Sequence, residues 1–310
     1  MEKLIIATRG SKLALWQSEH IKARLEELSP GLEVELKIIV TSGDKIQDIS
    51  LSKIGGKGLF LKELEEAMLR GEAHMAVHSL KDVPTVMPEG LPLAAITERE
   101  DCRDAMLSES YASLEELPQG ASVGTSSLRR KMQLLMVRPD LQIKDLRGNV
   151  DTRIRKLKEG QFDAIILASA GINRLGFVSS VKHVYNISQS EMISSMGQGA
   201  LGLQTIENKE IFDLVHKLNH KPTEMEVTVE RHFVDILEGG CHVPIGVNAS
   251  FLDNGDILAQ CSLGLPDASE TLCEKLTASS EGYRTLGKDL AQVVIDQGAR
   301  ELLSRADKMD

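Results

Sequence analysis

The strongest constraint on the fold of this chain is an alternation of short apolar runs with helical patterns over its first two-thirds. Residues 4–8 and 33–40 are typical of β-strands, and residues 11–28 between them place apolar side chains on one helical stripe. A strand, a helix and a second strand in this order form a βαβ unit, whose strands run parallel. The sequence therefore predicts an α/β fold.

The same alternation continues as far as residue 168. Further strands are predicted at residues 74–77, 91–97, 141–146 and 164–168 and up to Val123, with helices near 60–70 and from Leu128 and Asp151. This is enough for two α/β domains. The charged segment EREDCRDAM (98–106) has no apolar periodicity, so we expect it to be a crossing between them.

A different pattern follows in the last third. A helix is predicted at residues 223–237, followed by strands at 245–251, 257–263 and 271–276 and a closing helix at 283–303. These elements predict a smaller α+β domain. A chain of 310 residues is long enough for two or three domains.

The charge of the chain favours a compact anionic ligand and argues against nucleic acid. The formal net charge is −10 and aromatic residues make up only 3%, whereas a nucleic-acid binder needs a basic face and stacking platforms. Residues 129–158 reverse the sign, with ten basic and three acidic side chains. For Arg138, Lys144, Lys156 and Lys158 the alternative interpretation is a solvated helix face.

The sequence predicts neither a membrane span nor an export signal. No stretch approaches the roughly 18 consecutive apolar residues that a span requires, and charged residues interrupt the first fifteen positions. We therefore expect a cytoplasmic protein. The four cysteines lack CxxC spacing, so free thiols are expected rather than a metal site or disulfides.

The segment SVGTSSLRR (122–130) passes from a strand into a helix and predicts an anion site. A helix N-terminus offers unpaired N–H groups, and the hydroxyls of Thr125 and Ser127 add donors. Arg129 and Arg130 oppose the helix dipole in the first turn, which indicates a purpose other than folding. The alternative is a capped helix with two surface arginines.

Other strand-to-helix turns carry the same residue types. Arg9 and Ser11 occupy the first such turn, and Arg147 and Arg153 flank Gly148 at another. Ligands of open α/β sheets bind beyond the carboxyl ends of the strands. Together these turns predict a site for a ligand with several carboxylates.

Two further segments carry groups with possible chemistry. In AVHSLKDVP (76–84), Asp82 is a carboxylate in an otherwise cationic setting, although Lys81 and Asp82 could also be a trivial surface pair. His74 and His78 lie too far apart on a strand to share a metal, so we interpret them as structural.

Two glycine-rich segments leave their interpretation open. Residues 41–58, with Lys53 and Lys57, could form a lid over an anion or an ordinary surface loop. Cys241 follows Gly239 and Gly240, which would let a bulky group approach it, although a lone cysteine is more often a small buried hydrophobe.

Six segments, in order along nearly the whole chain, resemble the porphobilinogen deaminase (hydroxymethylbilane synthase) family. They are RGS (9–11), AVHSLKDVP, GTSSLRR (124–130), LRGNVDTR (146–153), MGQGALG (196–202) and LEGGCHVPIG (237–246). In that family a dipyrromethane cofactor, made from two substrate molecules, is bound to a cysteine by a thioether. It primes the addition of four porphobilinogen molecules, with loss of ammonia, to give hydroxymethylbilane.

The resemblance implies roles for individual residues. Asp82 is the implied catalytic residue, which steers pyrrole N–H groups and stabilises the cation formed when ammonia leaves. Cofactor attachment is implied at Cys241, and cofactor binding at Ser79, Lys81, Asp82, Thr125, Ser127, Arg129 and Arg130. Carboxylates of the substrate or growing chain are implied to bind Arg9, Ser11, Arg147, Arg153, Arg174 and Gln198.

The family fold implies two α/β domains like those of periplasmic binding proteins, with a smaller C-terminal α+β domain that carries the cysteine. The chain returns to the first domain near residues 196–202, which gives domains of residues 1–98 with 197–218, 99–196 and 219–310. A monomer is expected, with porphobilinogen as its small-molecule partner and no nucleic acid or membrane. Cys102 stands where the family often has proline.

Two other classes of function account for the residues less completely. A non-enzymatic anion-binding protein would use the same arginine turns, but it leaves Asp82 and Cys241 without a role. A polyanion-sensing regulator would need a DNA-reading module, which the sequence lacks.

Overall fold

The structure, a computed structural model, describes residues 1–42, 61–237 and 243–309. Its strands are β1 (Lys3–Arg9), β2 (Glu33–Ile39), β3 (Met75–Ser79), β4 (Leu93–Ile96), β5 (Asp104–Ser108), β6 (Ser122–Gly124), β7 (Gln142–Lys144), β8 (Ala164–Ala168), β9 (His183–Asn186), β10 (Leu201–Thr205), β11 (Ile245–Phe251), β12 (Ile257–Gly264) and β13 (Thr271–Ala278). Its helices are α1 (Lys12–Leu28), α2 (Lys62–Leu69), α3 (Leu128–Val137), α4 (Val150–Lys158), α5 (Ser169–Arg174), α6 (Lys209–His216), α7 (Lys221–Ile236), α8 (Tyr283–Asp296) and α9 (Ala299–Asp307).

Contacts group these elements into two compact units. The first unit comprises Met1–Glu100 and Gly199–Glu224, and the second comprises Asp101–Gln198 and Met225–Asp310. The second unit contains two separate sheets. The expected fold class, two α/β parts with a smaller C-terminal α+β part, is confirmed.

The first unit is built on a five-stranded sheet in the order β2-β1-β3-β10-β4. Strand β1 pairs in parallel with β2 and β3, whereas β10 is antiparallel to β3 and β4. Helix α1 buries Ile21 and Leu25 in the same core as Leu4 and Ile6, which confirms the predicted βαβ unit. The residue pattern alone does not predict β10. The family resemblance implied that the chain returns to this part near residues 196–202, but it did not predict the strand.

His74 and His78 have structural roles next to and within β3, as predicted. His78 is buried with Nε2 2.9 Å from Gln204 Oε1, and burial lowers its pKa to about 4. Nδ1 of His74 accepts a hydrogen bond from the Ile5 N–H at 2.9 Å. Across the described part of the chain, no group of side chains has the composition of a metal site.

The larger sheet of the second unit has the order β7-β6-β8-β5-β9. Strand β6 is parallel to β7 and β8, and β5 is antiparallel to β8 and β9. The prediction that residues 98–106 form only a charged crossing is wrong at its end, because β5 begins at Asp104. The strand was not predicted because a charged residue, Asp104, begins it, although the whole of β5 is buried.

The C-terminal part is an antiparallel sheet, β11-β12-β13, covered by helices that share its core. Phe233 of α7 and Leu290 of α8 lie in that core with Val247 and Ala259. The predicted single helix at 283–303 is wrong. Gly298 adopts a φ of 94°, a left-handed conformation that ends α8 and starts α9 in a new direction.

No helix within the described ranges combines the length and apolar character needed to cross a membrane.

The close approach of α8 to α7 predicts a specific sensitivity at Gly287. A Cβ there would lie 2.0 Å from the carbonyl oxygen of Val229, so Gly287→Ala must push two packed helices apart. We expect it to lower the free energy of unfolding by about 1–3 kcal/mol or more, as measured by urea denaturation. Gly282→Ala is the control, because its Cβ would meet only the Ala278 side chain, at 3.4 Å. Equal stability of the two variants would contradict this packing.

Candidate anion-binding site

In the first unit, residues expected to bind ligand lie at the carboxyl ends of β1 and β3, which are parallel neighbours. Arg9 ends β1, and Ser11 caps α1 by accepting a hydrogen bond from the Ala14 N–H at 3.3 Å. The Ser79 hydroxyl at the end of β3 accepts a hydrogen bond from the buried Gln17 amide at 3.0 Å. Sequence reasoning missed Gln17, because a polar residue in a helix gives no sign of what it contacts.

Lys81 and Asp82 lie in a short 3-10 turn directly after β3. The turn is attached to the returning chain, because the Leu80 N–H donates to the Ala200 carbonyl at 3.0 Å. Lys81 is half-buried and Asp82 is exposed. The carboxylate of Asp82 is therefore accessible at the strand end, as a reactive group must be.

In the second unit, the turns that follow β6, β7 and β8 lie at one edge, because these strands are parallel neighbours. The turn after β6 holds Thr125 and Ser127, the one after β7 holds Arg147, and α5 after β8 ends at Arg174. Arg153 lies in the first turn of α4. The structure thus brings the arginine-bearing turns of this unit together.

Thr125 and Ser127 shape the entry to α3. Thr125 Oγ1 accepts a hydrogen bond from the Ser127 N–H at 3.2 Å, and Ser127 caps the helix by accepting from the Arg130 N–H at 3.5 Å. A hydroxyl that accepts in this way keeps its own proton. Both hydroxyls can therefore still donate to an anion.

Arg129 and Arg130 converge on the buried carboxylate of Asp104. Arg129 Nη1 donates to Oδ2 at 2.7 Å, while Arg130 donates to Oδ1 through Nε at 3.0 Å and Nη2 at 2.6 Å. Asp104 is 0% exposed and the arginines are 5% and 6% exposed, so the alternative of two surface arginines is wrong. The three side chains carry a net charge of +1.

Sequence reasoning missed Asp104, although two adjacent arginines in a helix that packs on a sheet require a counter-charge. Burial acts to raise the pKa of Asp104, but the charges of Arg129 and Arg130 and the hydrogen bonds outweigh it and hold the pKa far below its usual value. Burial also lowers the pKa of Arg130, with Asp104 opposing this effect. The carboxylate is ionised under all ordinary conditions.

Arg153 is a further cation of this cluster and, unlike Arg129 and Arg130, it has no described carboxylate to balance its charge. Its Nε donates to the Gly148 carbonyl at 2.7 Å, and it forms no ion pair with any described carboxylate. Burial, together with the positive charges of Arg130 and Arg147, lowers its pKa to about 10. Three cations held close together and partly out of water are a local cost that an anionic ligand would offset.

Gln198, which the resemblance implies as a partner of substrate carboxylates, lies within the Asp104 network. It is buried, and its Nε2 donates to Asp104 Oδ1 at 3.0 Å and to the Cys102 carbonyl at 2.9 Å. The Cys102 thiol itself is half-buried and accepts a hydrogen bond from Gln189 Nε2 at 3.3 Å. Cys102, Cys261 and Cys273 are free thiols, and burial raises the pKa of Cys261 to about 12.

Three expected site residues lie outside the described ranges. They are Cys241, the expected point of cofactor attachment, and Lys53 and Lys57 of the expected lid. Of the basic residues with an alternative interpretation, Arg138 pairs with Asp140 at 2.8 Å and is not part of the cluster at the strand ends.

Comparison with known proteins identifies relatives along the entire chain. A family model described as "Porphobilinogen deaminase, dipyromethane cofactor binding domain" matches residues 4–213, and "Porphobilinogen deaminase, C-terminal domain" matches residues 224–296. Porphobilinogen deaminase of Sulfurimonas denitrificans is 65% identical over 309 residues, which cover 100% of this chain and 99% of the relative. The protein of the same name from a Nitratiruptor species is 61% identical over 99% of this chain and 98% of the relative.

Among solved structures, an ancestral cationic amino acid solute binding protein is similar with a TM-score of 0.44 and 13% identity, over 70% of this chain and 88% of that one.

The Asp104 network predicts an unequal response to two aspartate substitutions. Asp104→Asn removes the charge that holds two buried guanidinium groups, so we expect a loss of about 3–5 kcal/mol in the free energy of unfolding. Asp140→Asn breaks the partly exposed pair with Arg138 and should lower the free energy of unfolding much less, because solvent screens such pairs. Equal losses in urea denaturation at neutral pH would contradict the role of Asp104.

The pH dependence of that loss follows from the lowered pKa of Asp104. A carboxyl whose pKa is lower in the folded state stabilises above its unfolded pKa of about 4 and loses this contribution as the pH falls further. The stability gap between the wild-type chain and Asp104→Asn should therefore be constant above about pH 4 and narrow below it. A gap that widened on acidification would contradict the assignment.

Proposed function

The chain belongs to the porphobilinogen deaminase family, and we propose that it condenses four porphobilinogen molecules, one after another, onto a dipyrromethane primer held by Cys241. It is a transferase of porphyrin biosynthesis, and its product is the linear tetrapyrrole hydroxymethylbilane. Support comes from family models that together match most of the chain and from relatives that it covers from end to end.

The cationic edge of the second unit is the observation that carries this proposal. Each porphobilinogen bears an acetate and a propionate, so a dipyrrole presents four carboxylates and a growing chain presents more. Arg153 lies near Arg130 and Arg147 without a described carboxylate to pair with it. A ligand with many carboxylates supplies the missing negative charge.

The residues proposed to bind the cofactor and those proposed to bind substrate carboxylates form two separate sets. We propose that Ser79, Lys81, Asp82, Thr125, Ser127, Arg129 and Arg130 hold the cofactor. Arg129 Nε is buried and has no hydrogen-bond partner among the described residues, which supports its role as a donor to a bound carboxylate. When bound, the dipyrromethane supplies the pyrrole α-carbon to which each new unit is joined.

Arg9, Ser11, Arg147, Arg153, Arg174 and Gln198 are the proposed partners of substrate carboxylates. Because the Gln198 amide donates to Asp104 and to the neighbouring Cys102 and Arg103 carbonyls, we propose that its contribution passes through that network. Lys53 and Lys57 remain proposed lid residues.

Each addition of a porphobilinogen unit breaks one bond and forms another. The C–N bond of the aminomethyl group breaks and ammonia leaves, a C–C bond forms between the methylene carbon and the pyrrole α-carbon, and that carbon loses a proton. Release of the product consumes one water. Asp82 is exposed at the end of β3. We propose that its carboxylate accepts a hydrogen bond from the pyrrole N–H and stabilises the positive charge that develops as ammonia departs.

The finer features of the proposal are a thioether at Cys241, a monomeric state and a cytoplasmic location. The proposed domains are residues 1–98 with 197–218, 99–196 and 219–310. A non-enzymatic anion-binding protein would explain the arginines equally well. Membership of an enzyme family disfavours it, and an exposed aspartate has no evident use in a simple anion clamp.

The attachment of the cofactor is tested by intact-mass measurement. We expect the wild-type chain, purified from cells that make porphobilinogen, to be heavier than its sequence by a covalent dipyrrole. Cys241→Ala should have the bare sequence mass, whereas Cys273→Ala, a change at an exposed thiol, should keep the added mass. Recovery of the bare mass from the wild-type chain would overturn the proposal.

The role of Asp82 is tested by two substitutions in chains that carry the cofactor. Asp82→Glu keeps the carboxylate and should retain measurable turnover, while Asp82→Ala should lose about 10²–10⁴-fold in kcat. Glu89→Ala, at an exposed carboxylate of the same unit, is the control and should match the wild type. Equal rates for Asp82→Glu and Asp82→Ala would remove Asp82 from the mechanism.

A further inference from the structure

We infer that Gln133 is a positioning residue for cofactor attachment, because it fixes the main chain against which the strand following Cys241 is docked. The inference rests on the proposed function in one respect, that Cys241 carries the cofactor. Strand β11 begins at Ile245, four residues after Cys241 in the sequence. Whatever holds the start of β11 therefore holds the described part of the chain that follows Cys241 most closely in the sequence.

The side-chain amide of Gln133 binds both main-chain groups of a single residue. Gln133 lies on α3 and is 3% exposed. Its Oε1 accepts a hydrogen bond from the Ile193 N–H at 2.7 Å, and its Nε2 donates to the Ile193 carbonyl at 3.0 Å. Only a side chain with both a donor and an acceptor can make this pair of bonds.

Strand β11 packs directly on the same residue. A Cβ on Gly246 would lie 2.7 Å from the Ile193 carbonyl oxygen and 3.1 Å from Gln133 Nε2, so glycine is required for the approach. The Val247 N–H then donates to the Ser194 carbonyl at 2.9 Å. The start of β11 is thus held by residues 193 and 194, which Gln133 holds in turn.

The arginine network shares this point. Arg129 Nη1, which binds Asp104, also donates to the Ile193 carbonyl at 2.8 Å. One carbonyl oxygen therefore receives bonds from Arg129 and Gln133 while β11 lies against it. This arrangement sets the position of β11 relative to the guanidinium groups proposed to hold the cofactor carboxylates.

Accurate placement matters most when the thioether forms. In that step the S–H proton is lost, a C–S bond forms to the methylene carbon, and ammonia leaves from the same carbon. A displacement of about 1 Å between reacting groups can cost about 10²-fold in rate. After attachment the covalent bond holds the cofactor, so later additions depend less on the position of β11.

If Gln133 served only to hold the fold together, its loss should lower attachment and turnover equally. Helix α3 is already held by the Asp104 network and by the buried side chains of Met132 and Leu134. Loss of the Gln133 amide should therefore leave the helix in place. The expected effect is on attachment rather than on turnover by chains that are already loaded.

The test uses full-length protein prepared without porphobilinogen and then supplied with it. Gain of dipyrrole mass over time gives the rate of attachment, and turnover per loaded chain is measured separately. We expect Gln133→Met to slow attachment about 10- to 100-fold, with turnover per loaded chain within about threefold of wild type. Gln292→Met, at an exposed amide of α8, is the control and should match the wild type.

Gln133→Glu adds a readout that a structural role would not change. The ionised carboxylate can accept from the Ile193 N–H but cannot donate to the Ile193 carbonyl, whereas the protonated acid can do both. Its attachment rate relative to wild type at the same pH should rise as the pH is lowered. Gly246→Ala should slow attachment as Gln133→Met does, with Gly282→Ala as the matched control.

Three results would overturn the inference. They are attachment by Gln133→Met at the wild-type rate, an equal loss of attachment and turnover, and a pH-independent ratio for Gln133→Glu. A wild-type chain that gains no mass would overturn the proposed function as well. A wild-type chain that gains mass beside an unaffected Gln133→Met would overturn only the role of Gln133.

Discussion

The site in the second unit depends on one buried carboxylate. Asp104 has no exposed surface and neutralises one of the two guanidinium charges brought to it by α3. Without it, Arg129 and Arg130 would have to be buried as an uncompensated pair of like charges, which is far more costly than a compensated one. Its presence lets two cations be fixed in position before any ligand arrives, and such preorganisation strengthens anion binding.

The need to bind an anionic ligand explains why the arginine cluster around Asp104 is not fully neutralised by carboxylates of the protein. A carboxylate opposite each arginine would stabilise the unliganded fold but would leave no charge for substrate. Arg153 instead lies near Arg130 and Arg147, and its pKa is lowered to about 10, so it stays charged at neutral pH at some cost to folding. A ligand with several carboxylates offsets this destabilisation when it binds. The affinity of the protein for a ligand should therefore rise with the number of carboxylates that the ligand presents.

Much of this organisation could be predicted from the sequence. Strand and helix periodicity predicts the βαβ units, and placing arginine turns at the ends of parallel strands predicts the cationic edge. Asp104 could not be predicted, because a charged residue at the start of a strand has the pattern of a loop until its partners are known. Strand β10 depends on pairing with β3 and β4, which are distant in sequence, and the break at Gly298 depends on one backbone angle.

Attachment and elongation place different demands on such a protein. Elongation needs cations that bind carboxylates in many positions, and flexible or distributed contacts serve this well. The proposed attachment happens once and needs one thiol at one place. The shared carbonyl of Ile193 meets both demands, because Arg129 and Gln133 bind it from α3 while β11 packs on it through Gly246. A rigid main-chain point thereby ties the start of β11, the strand after Cys241, to the helix that carries Arg129 and Arg130.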